Sequence, residues 1–101
     1  MGKKAIITMH AIRRFAERVM GVEGLSADDE AAVVELRVVH GIDTVEIERL
    51  LGDLVQRGVE LGAVAVTLKG SRYVLRDRAL ITILDMPKRR RRQGRIDRSE
   101  D

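Results

Sequence analysis

The hydrophobic period of this chain changes once, after Gly62, and that change limits the fold more than any single residue does. Between His10 and Gly58 the apolar residues recur at three- and four-residue intervals, the spacing of one face of a helix. From residue 63 to residue 85 the segments AVAVTLK, RYVLR and ALITILD alternate instead, with Gly70-Ser71 and Asp77-Arg78 between them. Alternation broken by two-residue turn signals predicts a three-stranded antiparallel meander. Helices followed by hairpin-linked strands read as an α+β domain, and 101 residues with 45% hydrophobic content suit one core.

The helical part divides by its caps and glycines. Residues 3–8, KKAIIT, read as a brief strand, and His10 to Met20 as an amphipathic helix closed by Gly21 or Gly24. Ser26 as N-cap, with Asp29 three residues on, predicts a second helix over about 27–40 that stops at Gly41. Asp43 or Thr44 caps a third, expected over 44–57 and stopped by Gly58. The expected architecture is therefore a short strand and helices, then the meander packed on the helices, within residues 1–86.

Two-residue turns at both hairpins set an expected register. Leu68 opposes Tyr73 and Tyr73 opposes Thr82, while Val66 opposes Leu75 and Leu75 opposes Leu80. One sheet face is then aliphatic and includes Tyr73, the single tyrosine, in a buried structural role. The other face gathers Lys69, Arg72 and Arg76 among Thr67, Val74, Ile81 and Ile83. Such a face can be solvated, covered, or shaped to receive phosphates.

Charge is unevenly distributed. Residues 86–101 hold seven Lys/Arg against three Asp/Glu, and residues 1–85 hold twelve against thirteen. Within the body, residues 21–62 carry ten acids and three bases. Pro87 ends the meander, and the segment after it, with Lys88, Arg89, Arg90, Arg91 and Arg92 in a row, is expected to be a flexible basic tail over 87–101. A run of this kind attracts phosphate backbones by counterion release, but equally solubilises a chain or lies on its acidic helices, in the same molecule or a neighbour.

Several function classes are excluded. The absence of Cys removes disulfides, thiol nucleophiles and Cys-ligated zinc. His10 and His40 lie on separate segments without carboxylates at ligand spacing, so no metal or other cofactor is expected. With one Phe, one Tyr and no Trp, a platform of stacked aromatics for bases is not available. The opening MGKKAIITMH lacks a secretion signal's apolar core, and no run is long enough to span a membrane, which makes a cytoplasmic chain the expectation.

MHAIRRFAERV sets His10, Arg14 and Arg18 on one helix face together with Arg13 and Glu17. Imidazole exchanges protons near neutral pH, so His10 can serve as proton donor or acceptor in cleavage of an RNA phosphodiester. Arg14 and Arg18 can hold the phosphate and stabilise charge building on its oxygens, and Glu17 can act as base or pair with Arg13 or Arg14. The same charges need no function at all, because an amphipathic helix turns its charged side outward whatever its task.

HAIRRFAER, residues 10–18, resembles the H-A-x-x-R-x-x-E-R signature of small bacterial and phage proteins. GSRYVLRDRALITIL, residues 70–84, is similar to the terminal strand pattern of the same proteins. These look like distant members of the RelE-like and BrnT-like toxin group. The resemblance implies an antiparallel sheet with N-terminal helices, a metal-independent endoribonuclease or an inactive relative, and an antitoxin-like protein partner. It assigns matched roles to His10, Arg14, Glu17 and Arg18 on the helix and to Arg72, Tyr73, Arg76 and Thr82 on the strands. His10, Arg14, Arg18 and Arg76 form the expected catalytic set, and Lys69, Arg72 and residues 88–92 an auxiliary nucleic-acid-binding set. The two middle helices depart from the short linker expected of the family.

Two other classes stay open. The second and third helices, the hairpin and the basic arm also read as a winged helix-turn-helix. The candidate recognition helix TVEIERLLGDLVQR, however, carries Glu46, Glu48 and Asp53 against Arg49 and Arg57, a poor charge for a DNA groove. The acidic helices alternatively suit an interaction module, docking a basic partner or a second copy.

Overall fold

The computed structural model describes residues 4–85. The expected tail, with Lys88, Arg89, Arg90, Arg91 and Arg92, lies outside the described residues. In chain order the elements are β1 (Ile6–Ile7), α1 (Met9–Arg18), α2 (Asp29–Val38), α3 (Thr44–Glu60), β2 (Ala65–Leu68), β3 (Ser71–Arg76) and β4 (Ala79–Asp85). This is an α+β arrangement with helices layered on one face of a sheet.

Sheet order is β1-β4-β3-β2, so the meander gains a fourth strand. β1 runs parallel to β4, pairing Ile6 with Ala79 and Ile7 with Leu80, which makes the sheet mixed and not purely antiparallel. Thr8 joins that pairing to the first helix. Its Oγ1 accepts from the Ala11 N–H at 3.1 Å and donates to the Leu80 carbonyl at 2.8 Å, capping α1 and pinning its start to β4.

Two features correct the expected register. The β2–β3 turn is Lys69-Gly70, with φ values of 50° and 83°, so Leu68 opposes Ser71 and Val66 opposes Tyr73. Positive φ at both turn residues matches the right-handed twist of the flanking strands, which a Gly70-Ser71 turn would not supply. Lys69 consequently belongs to the turn and not to the ladder. The β3–β4 turn falls at Asp77-Arg78 as expected and Leu75 opposes Leu80, but an irregularity follows: Val74 opposes Thr82 and Tyr73 opposes Ile83. The extra residue, Ile81, lets Leu80 and Ile83 both turn into the core although they are three apart.

The core lies between the layers. Ile12 and Phe15 of α1, Leu36 of α2, and Leu51 and Val55 of α3 pack with Tyr73, Leu75, Leu80 and Ile83. α3 continues three residues beyond the expected 57, through Gly58. That glycine is buried against the sheet, where an added Cβ would lie 2.7 Å from Val66 Cγ2 and 3.3 Å from Leu75 Cδ1. It permits close helix–sheet approach and does not end the helix. Among the described residues no helix is long and apolar enough to cross a membrane.

Candidate functional site

α1 buries Ala11, Ile12, Phe15 and Ala16, which turns its charged side toward the start of α2. There the sequence places two aspartates. Asp28 is the N-cap, its carboxylate accepting from the Ala31 N–H at 2.9 Å. Ser26, expected in that role, instead binds Glu35: its N–H donates to Oε1 at 2.9 Å and its hydroxyl donates to Oε2. These two hydrogen bonds hold the Glu35 carboxyl below the usual carboxylate range.

Asp29 is thereby free to face α1. His10 Nδ1 lies 3.1 Å from both its carboxylate oxygens, and Arg13 Nη1 donates to Oδ1 at 3.1 Å and to the Ala27 carbonyl at 3.1 Å. Arg14 Nε donates to His10 Nε2 at 3.4 Å. Both His10 contacts are met by the tautomer carrying its proton on Nδ1, with the Nε2 lone pair accepting from Arg14. Glu17 closes the group, accepting from Arg14 Nη1 at 2.9 Å and standing 3.3 Å from Arg13 Nε. Burial raises the Asp29 carboxyl, but the hydrogen bonds from His10 and Arg13 outweigh it and hold the group below its ordinary value.

The helix residues expected to work together thus split. His10, Arg14 and Glu17 meet, joined by Arg13 and Asp29. Arg18 turns instead toward the end of β4, where its Nη1 is 3.6 Å from Asp85 Oδ2. Arg76 is not part of this site. In β3 the buried residues Ser71, Tyr73 and Leu75 alternate with exposed Arg72 and Arg76, so the sheet itself separates both arginines from α1. The expected set of His10, Arg14, Arg18 and Arg76 is therefore not one constellation, because strand alternation commits Arg76 to the face that the helices leave open.

That open face has a character of its own. Arg72 stands between Thr67 of β2 and Leu84 of β4, Val74 between Ala65 and Thr82, and Arg76 opposite Ala79. Ile83, expected here, is drawn into the core by the β4 irregularity. Arg72 and Arg76 are about 13 Å apart along the strand at the usual rise per residue. Neither has an ion-pair partner among the described residues, and nor do Lys69 and Arg78 in the flanking turns. On the helix side Arg13, Arg14, Arg18 and Arg49 each have a carboxylate, while Arg37 of α2 and Arg57 of α3 have no ion pair among the described residues.

Asp29 and Arg13 are the residues that sequence reasoning missed at this junction. The signal was the pair Asp28-Asp29: only one can cap α2, which leaves the other available across the helix–helix contact. No protein-family model, curated protein or solved structure matches the chain.

Proposed function

We propose that this chain is a small cytoplasmic nucleic-acid-binding domain that holds a phosphate backbone on the open face of its sheet, through Arg72 and Arg76 with Lys69 at the turn. The observation that carries this reading is the contrast in pairing. Arg13, Arg14, Arg18 and Arg49 on the helix side are each paired with a carboxylate, whereas Arg72 and Arg76, which share one sheet face, have none among the described residues. Unpaired guanidinium groups with Thr67 beside Arg72 and Thr82 beside Val74 suit phosphate oxygens without requiring base recognition. In the sequence, the KRRRR run begins three residues after Asp85 and adds five cations to the chain.

Fluorescence anisotropy with labelled single-stranded RNA and duplex DNA at low salt tests it. Replacing Arg72 and Arg76 by Ala together should weaken binding by at least roughly tenfold, the scale of losing charge-assisted contacts. Affinity equal to that of the parent chain would remove the sheet face from the account.

A second reading, a metal-independent endoribonuclease of the kind the RelE-like and BrnT-like resemblance implies, is favoured by one observation. His10 is hydrogen-bonded to a carboxylate on one ring nitrogen and lies beside a guanidinium on the other, with 36% of its side chain exposed. That pairing orients an imidazole for proton transfer next to a cation able to meet a phosphate. RNA cleavage in EDTA that disappears in His10→Ala supports it, and cleavage that is absent from the parent chain or equal in the variant excludes it. No such observation favours the winged-helix reading: on the exposed side of α3, Arg49 is already bound by Glu46 and Asp53.

A further inference from the structure

β2 ends the sheet, and no strand covers its outer edge among the described residues. The backbone pattern decides which groups are left there. Leu75 N–H donates to the Val64 carbonyl at 2.9 Å, so Val64, Val66 and Leu68 direct their N–H and C=O groups toward β3. Antiparallel alternation turns those of Ala65 and Thr67 outward. They have no hydrogen-bond partner among the described residues.

The side chains show a second pattern. Val66 faces the helix layer, meeting Gly58 of α3, and Val64 and Leu68 fall on the same side by alternation. Yet Val64 is 74% exposed and Leu68 is 43% exposed. The edge therefore pairs a row of unused main-chain groups with two apolar side chains that the fold does not cover.

We propose that this edge is the interface for a second copy of the chain, with β2 pairing antiparallel to β2 of the other copy about a two-fold axis at Val66. Ala65 of each copy exchanges main-chain hydrogen bonds with Thr67 of the other, so every outward group of the strand is used. Val64 lies opposite Leu68 of the other copy, and the two Val66 residues oppose each other. The neighbouring two-fold registers lack this match. An axis at Ala65 sets Leu68 opposite Gly62, and one at Thr67 sets Val64 opposite Gly70, leaving an exposed apolar residue facing no side chain. Self-complementarity at a single register is what an isologous contact requires. The result is an eight-stranded sheet with both helix layers on one side and the arginine faces of both copies continuous on the other.

The seam is short, so the dimer is expected to form reversibly with concentration. Sedimentation equilibrium of the full chain over a wide concentration range tests it, independently of nucleic-acid binding. The parent chain should shift from the mass of one chain to that of two. Thr67→Pro removes an N–H that the single chain does not use in its ladder, so at concentrations where the parent has the mass of one chain it should leave circular dichroism and thermal midpoint unchanged, while abolishing the dimer at higher ones. If that variant does not fold, Val64→Lys at its exposed position decides, and loss of the dimer is the expected result. A parent chain with the mass of one copy at every concentration overturns the proposal, as does a dimer that persists in the folded Thr67→Pro or Val64→Lys variant.

Discussion

Gly58 shows how one missing side chain sets the spacing between layers. Alanine is the better helix former by about 1 kcal/mol, but its Cβ would sit 2.7 Å from Val66 Cγ2, a methyl on a stiff β-branched side chain. The clash outweighs the propensity, and Gly58→Ala should destabilise the fold by about 1–3 kcal/mol in chemical denaturation. A glycine at this point in the sequence reads equally as a stop signal, which is why its packing role was illegible until the helix was seen against the strand. Tyr73 was legible, because alternation alone assigns it to the aliphatic face, and it is 4% exposed. Burial pushes its phenol above the ordinary value. The neutral form is the one the fold favours, so its contribution is fully present below about pH 10 and is lost as pH rises through the raised value. Phenolate absorbance of this single tyrosine should therefore appear above the ordinary phenol range, and Tyr73→Phe should remove its share of the alkaline loss of stability.

At the level of elements, the existence and order of α1, α2, α3 and the three meander strands followed from periodicity and caps. Their pairing did not. β1 has only two residues, too few to announce a partner, and its place beside β4 is set by main-chain bonds from Ile6 and Thr8 to Arg78 and Leu80, to which the Thr8 hydroxyl adds a side-chain tie to Leu80. Thr8→Ala removes both the cap and that tie and should cost about 1–2 kcal/mol, measurable as a lowered denaturation midpoint. The slip at Ile81 was likewise unreadable, since ALITILD alternates well enough without it, and only the competition of Leu80 and Ile83 for the core decides the shift. The α1–α2 junction carries a pH signature. With the Asp29 carboxyl held below its ordinary value, its stabilising contribution is present above about pH 4 and is lost as pH falls through the lowered value. The thermal midpoint of the parent chain should fall in that acidic window more steeply than that of Asp29→Asn, and the two should converge below it. Equal slopes would show that the His10–Asp29–Arg13 contact does not tie the helices together.

For the whole molecule, the two-layer plan has a consequence for charge that the sequence half disclosed. The basic face of the meander was visible as Arg72 and Arg76 in alternating positions. That it stands back to back with the His10 helix was not visible, because no pattern in either segment says which side of the sheet receives α1. Layering answers this: the helices take the side of Tyr73, Leu75 and Ile83, and the arginines take the other. Arg72 and Arg76 then stand without a carboxylate among the described residues on an open surface while Arg13, Arg14, Arg18 and Arg49 are paired within the fold, and the proposed contact with a polyanion rests on that difference. The most direct measurement is the salt dependence of nucleic-acid affinity in the parent chain and in the variant with Arg72 and Arg76 both replaced by Ala. The logarithm of affinity should fall linearly with the logarithm of salt concentration, and the variant's slope should be shallower by about two. An unchanged slope, or binding by the parent chain that ignores salt, would contradict the account.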